Sequence, residues 1–76
     1  MAEEVALGKY RHYKGNLYEV IGTARHSETL EEMVVYRALY NSKDYGSNAL
    51  WVRPKDMFLE NVAYEGKLVP RFEKVD

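Results

Sequence analysis

A chain of 76 residues makes a single domain close to the lower size at which one hydrophobic core sustains a fold unaided. It contains no Cys, which excludes a disulfide framework, a thiolate metal site and a cysteine nucleophile together. The formal charge of −1 provides no global positive field for nucleic acid or anionic membrane, so any anion site has to be local.

Residues 1–8, MAEEVALG, are too short and mixed to read as helix or strand, and they predict a flexible N-terminal segment ahead of a single domain over residues 9–76. Their acidic start lacks the basic region of a signal peptide, and no apolar run approaches the ~18 residues of a membrane span. A cytoplasmic protein without membrane contact is the expectation. In residues 9–14, KYRHYK, Tyr10, His12 and Lys14 alternate with Lys9, Arg11 and Tyr13, the period of a strand. Gly15-Asn16 follows as a hairpin turn, since both residues tolerate positive φ.

Residues 17–26 read as a second strand with Tyr18, Val20, Gly22 and Ala24 inward and the side of Ile21 open. Gly22 marks a bend or a bulge. A polar turn around His26-Ser27-Glu28-Thr29 leads to residues 33–40, MVVYRALY, where an outward Arg37 places Val34, Tyr36 and Ala38 inward. Leu39 then breaks parity unless a bulge intervenes. Residues 41–48, NSKDYGSN, carry loop chemistry and predict the most mobile internal segment. A short strand over 49–53 ends at Pro54, with Leu50 expected in the core and Trp51 and Arg53 on the opposite side. Pro54 opens one helical turn that docks Met57 and Phe58, Glu65-Gly66 makes a turn, and residues 67–74 form a last strand whose Pro70 argues for an edge.

These signals predict an all-β fold: a small five-stranded SH3-like barrel with one short helical turn before the last strand. The competing fold makes SETLEEMVVYRALY a helix, with Thr29 and Glu32 as a capping box. Its Val-Val-Tyr centre and lack of an apolar stripe count against it.

Tyr10, His12, Lys14-Gly15, Tyr18, His26-Ser27-Glu28-Thr29, Val34-Val35-Tyr36, Trp51, Arg53-Pro54 and Pro70-Arg71-Phe72 are similar to the pattern of the bacterial domain-of-unknown-function family 1653. The resemblance runs from Lys9 to Glu73. It implies a small bacterial SH3-like barrel, often a stand-alone protein, and it carries no activity, substrate or cofactor.

Four constellations carry chemistry. His12, His26 and Glu28 are candidates for an acid/base pair or a metal, though a hairpin turning at Gly15-Asn16 leaves His26 far from His12. Ser27 and Thr29 beside His26, with Glu28 as orienter, invite a nucleophile reading, yet sequence neighbours on a strand rarely converge, and Ser27 and Thr29 are more simply turn residues that hydrogen-bond their own backbone. Trp51, Arg53, Arg71 and the tyrosines are the better candidates, because guanidinium groups stack on aromatic rings and grip carboxylate or phosphate through paired hydrogen bonds. The alternative is a core Trp51 with arginines paired to Glu28, Glu31, Glu32 or Glu60. Tyr10 and Tyr13 among Lys9, Arg11 and Lys14 make the one stretch resembling a nucleic-acid surface.

The expected function is a non-catalytic binding module for an anionic ligand: a nucleotide, a single-stranded nucleic acid or an acidic peptide. Trp51, Arg53, Arg71, His26, Ser27, Glu28, Tyr10 and His12 are its candidate contacts. No cofactor or metal is expected, and a protein partner or a weak homodimer stays open beside the monomer. The alternative is a small enzyme or accessory subunit using a His/Glu pair at the turn between the second and third strands.

Overall fold

β-Branched and aromatic residues at alternate positions draw most of the chain into strands. The computed structural model describes residues 5–75. Its elements are β1 Gly8–His12, β2 Leu17–Arg25, β3 Glu32–Ala38, β4 Asn41–Ser42, β5 Gly46–Ser47, β6 Leu50–Pro54, α1 Lys55–Phe58, β7 Asn61–Tyr64, β8 Lys67–Pro70 and β9 Phe72–Lys74. An antiparallel five-stranded sheet runs in the order β6-β3-β2-β1-β9, and β4-β5 and β7-β8 form two separate ladders. The all-β class and the helical turn stand as read from the sequence, and SETLEEMVVYRALY is turn and strand rather than helix; the five expected strands are met only in the main sheet, since the described residues form nine, residues 61–64 being a strand rather than a connection.

Among the described residues no ladder joins β6 to β9, so hydrogen bonds do not close the sheet into a barrel. Phe58 of α1 bridges the opening instead. Its ring stacks on Phe72 of β9 at a centroid distance of 4.2 Å and meets Tyr36 of β3 at 5.6 Å. Tyr10, Val20, Val34, Tyr36, Phe58 and Phe72 form the core, with Val5 and Tyr18 packed against it. Of the N-terminal segment expected to be flexible, residues 1–4 lie outside the described residues. Beyond them, Val5 covers the core and the Ala6 carbonyl accepts a hydrogen bond from the Tyr10 hydroxyl at 2.7 Å.

Register explains which sides are wet. Val20 pairs with Tyr36 but Gly22 pairs with Val35, so Ile21 is an extra residue in a bulge. An inserted residue reverses the alternation beyond it. Thr23 therefore stands opposite Val34, and Ala24, expected inward, is exposed. Gly22 itself is not forced by space, since nothing lies within 4 Å of a Cβ built there. The parity conflict at Leu39 disappears because β3 ends at Ala38.

The expectation for Leu50 is overturned. Residues directly opposite across a ladder share a face, and Tyr36 and Val34 stand opposite Trp51 and Arg53. Trp51 and Arg53 thus lie on the core side, and Leu50 is 63% exposed on the other. The stretch expected as plain loop pairs as a small hairpin, Asn41 with Ser47 and Ser42 with Gly46. Its turn is held by the Ser42 hydroxyl, which accepts from the Asp44 and Tyr45 amides. The last strand is divided at Arg71: β8 pairs with β7, and β9 pairs with β1.

The β7-β8 turn has positive φ at both Glu65 (52°) and Gly66 (80°). Two successive positive φ values are the signature of a type I′ turn, where Asn-Gly is favoured and Glu is not. Glu65→Asn is expected to stabilise the protein by about 0.5 kcal/mol, roughly half of the usual left-handed penalty, read as a raised urea midpoint. Lys55 is a buried cation, with its ammonium 3.5 Å from the Glu32 carboxylate.

Candidate functional site

The inner face of the five-stranded sheet carries more aromatic side chains than the core can cover. Tyr36 of β3 is buried; Tyr18 of β2 is half-buried beside it, the rings 5.4 Å apart. Tyr40, just past β3, donates to or accepts from Tyr18 at 2.9 Å between hydroxyls. Trp51 and Arg53 extend the same face to the edge strand β6. Tyr18, Tyr36, Tyr40, Trp51 and Arg53 line an open concavity of about 190 Å³. Tyr45 of the small hairpin meets the Trp51 ring edge-on at 5.1 Å.

Arg53 sets the electrostatics of this groove. Its guanidinium carbon lies 5.6 Å from the centroid of the Phe72 ring, a distance at which a cation is attracted to an aromatic face. The three half-buried arginines differ sharply: Arg37 pairs with Glu19 and Arg71 with Glu60, whereas Arg53 has no ion pair or hydrogen bond among the described residues. A guanidinium beside an aromatic ring and without a partner among the described residues has the chemistry to grip a carboxylate or phosphate through paired hydrogen bonds.

His12 adjoins the groove, with its ring 5.0 Å from Phe72 and 6.3 Å from Tyr18. Burial lowers its pKa below the ordinary 6.5, and the positive charges of Arg53, Arg71 and Lys14 lower it further. Its Nδ1 accepts the Lys14 amide at 3.2 Å, so the neutral ring carries its proton on Nε2 and can donate from there. Burial and the Tyr40 hydrogen bond push the Tyr18 hydroxyl well above its usual range. The groove thus offers one fixed cation and neutral donors, with no carboxylate among the residues lining it.

The sequence candidates separate. Trp51 and Arg53 line the groove and His12 adjoins it. Arg71 does not line it: its Nε donates to the Met57 carbonyl at 3.1 Å and its Nη2 to Glu60 at 3.0 Å, which ties β9 to the end of α1. Tyr10 is in the core. His26, Ser27 and Glu28 are exposed in the turn beyond β2, and the His26 Nδ1 accepts the Glu28 amide at 3.1 Å and the Thr29 amide at 3.4 Å. The eight residues from Tyr18 to His26 put that turn about 26 Å along the strand. Among the described residues no group of three His, Asp or Glu side chains is placed to hold a metal ion. Among the tyrosines the sequence singled out Tyr10 rather than Tyr18, Tyr36, Tyr40 and Tyr45: Tyr18 and Tyr36 read as inward strand residues, and Tyr45 as part of a loop.

A second concavity of about 290 Å³ lies between β1, β9 and the β7-β8 hairpin, lined by residues including His12, Tyr13, Tyr64 and Pro70. There Arg11 stands opposite Glu73 across the ladder, which balances its charge.

This is a small all-β protein: a five-stranded sheet whose inner face carries an aromatic core and an arginine groove. The chain belongs to the family described as "Protein of unknown function (DUF1653)", matching it over residues 8–74. The crystal structure of a member of that family from Bordetella bronchiseptica is similar at 36% identity, with a TM-score of 0.84 over 95% of this chain and 88% of the other. No curated protein matches the chain. No helix among the described residues is long and apolar enough to cross a membrane.

Proposed function

We propose that the protein is a non-catalytic binding module whose inner groove takes the anionic group of a ligand on Arg53. The observation that carries this reading is that Arg53 has no partner among the described residues, set against the carboxylate pairing of the other two half-buried arginines. Leaving a partly desolvated guanidinium without a carboxylate forgoes a charge-assisted hydrogen bond, a loss that an anionic ligand recovers on binding. His12 and the Tyr40 hydroxyl add neutral donors around it. A bacterial, cytoplasmic setting is part of the same proposal, the Bordetella relative giving the bacterial half.

Inorganic phosphate and sulfate at millimolar concentration are expected to raise the melting temperature, because a ligand that binds only the folded state stabilises it. Arg53→Met should keep the melting temperature of the unliganded protein within a few degrees and abolish that rise. A variant that melts normally and still responds to phosphate would remove Arg53 from the site.

His12 gives the pH dependence a definite sign. Its folded pKa lies below the unfolded value of 6.5, so its contribution to stability is full above that value and is lost as the pH falls toward the folded one. A bound anion favours the protonated ring. Sulfate affinity should therefore increase as the pH drops below about 6.5, and His12→Gln should flatten that increase.

A further inference from the structure

We infer that the groove accepts a mononucleotide unit, an unpaired base on Trp51 with its phosphate on Arg53, presented by a free nucleotide or by a single strand. This rests on the anion reading above and specifies the rest of the ligand. Trp51 and Arg53 are two residues apart on one side of β6, about 6.6 Å along the strand, a separation of the order of that between a base and its own 5′ phosphate. Trp51 keeps 37% of its surface in water and Tyr45 keeps 65%, although their rings are in contact at 5.1 Å. Together they make a corner of two exposed aromatic surfaces, and unpaired bases stack on such surfaces whatever their sequence.

Other ligand chemistries use less of the groove. A cationic ammonium suits an aromatic pocket but meets the fixed charge of Arg53. An acidic peptide satisfies Arg53 and leaves the planar surfaces of Trp51 and Tyr45 unused. Duplex nucleic acid depends on many phosphate contacts, which a chain of net charge −1 does not offer. The concavity of about 190 Å³ is smaller than a pocket that encloses a drug-sized ligand, and it is open. It fits one unit of a ligand and leaves the remainder in solvent. The Tyr18–Tyr40 pair, one hydroxyl of which donates to the other, keeps one hydroxyl proton for the sugar and phosphate oxygens beside Arg53, and the adjoining His12 imidazole adds a second donor.

Trp51 is the single tryptophan of the chain, so tryptophan emission reports on this site alone. Emission should be titrated with inorganic phosphate, uridine and adenosine 5′-monophosphates, single-stranded oligonucleotides, a duplex and an oligoglutamate peptide. The expected result is quenching by the nucleotides, with affinity about tenfold or more above that of phosphate, the factor that one base–aromatic stack supplies. Tyr45→Ala, at an exposed position, should weaken nucleotide binding several-fold and leave phosphate binding unchanged. An oligonucleotide that binds more tightly than the monophosphates identifies a strand as the source; equal or weaker binding identifies the free nucleotide. Arg53-dependent phosphate binding with no added affinity for nucleotides and no change in emission would overturn the nucleotide inference and leave the anion site standing. Quenching by oligoglutamate or duplex in preference to nucleotides would overturn it as well. If neither phosphate nor any nucleotide binds, both readings fail.

Discussion

Phe58→Ala is expected to remove about 4 kcal/mol of stability, within the usual range for deleting a buried phenylalanine. The ring is 1% exposed, lies parallel to Phe72 at 4.2 Å and meets Tyr10 and Tyr36 at 5.4 and 5.6 Å. It also belongs to a helix of four residues, far too short to persist by its own hydrogen bonds. α1 is therefore held by Phe58, and Phe58 fills the side of the core that no β6–β9 ladder closes. A domain this small has a total stability of roughly 4–11 kcal/mol, so most of the cooperative transition should be lost in urea. A decrease below about 1.5 kcal/mol would mean that the sheet folds without its plug.

Val34→Ala has the second largest expected effect on stability, about 2 kcal/mol, between the costs of removing one methylene and of truncating a leucine. Val34 is 0% exposed at the centre of β3, flanked by Thr23 and Arg53 in the two adjoining ladders. Leu50→Ala, a larger deletion, should change stability by no more than about 0.5 kcal/mol because the side chain is in water. If the two costs were reversed in chemical denaturation, the facing of β3 and β6 would be inverted.

The sequence revealed the sheet better than its edges. In β3, an outward Arg37 was enough to place Val34, Tyr36 and Ala38 inward, and all three are buried. The same rule failed at Leu50 because the charged residue of β6, Arg53, faces inward opposite Val34 rather than outward. Its facing is set by pairing with β3, a long-range fact that local parity does not contain. The bulge was legible at Gly22, but not that an extra Ile21 would turn Ala24 outward. Loop chemistry over 41–48 read as plain loop, whereas the stretch is a hairpin of two pairs whose turn is held by Ser42.

For the site, the two residues most easily read, Trp51 and Arg53, share the groove by the period of a strand. Arg71 looked equivalent by type. What separates it is a partner from another segment: Glu60 lies eleven residues away in sequence and takes its guanidinium. The His26 turn carries every polar residue type that catalysis uses, yet the ring's Nδ1 is engaged by backbone amides of its own turn. Such Asx-like local bonding is invisible in composition.

The most direct test of the groove is a phosphate titration followed in two-dimensional amide and indole NMR spectra of the wild-type protein. Saturable shifts are expected at the Trp51 indole N–H, at Arg53 and its strand neighbours, at His12 and at Tyr18 and Tyr40, with none in the His26 to Thr29 turn. Shifts confined to that turn, or spread over the exposed lysines and absent from Trp51 and Arg53, would contradict an anion site on β6.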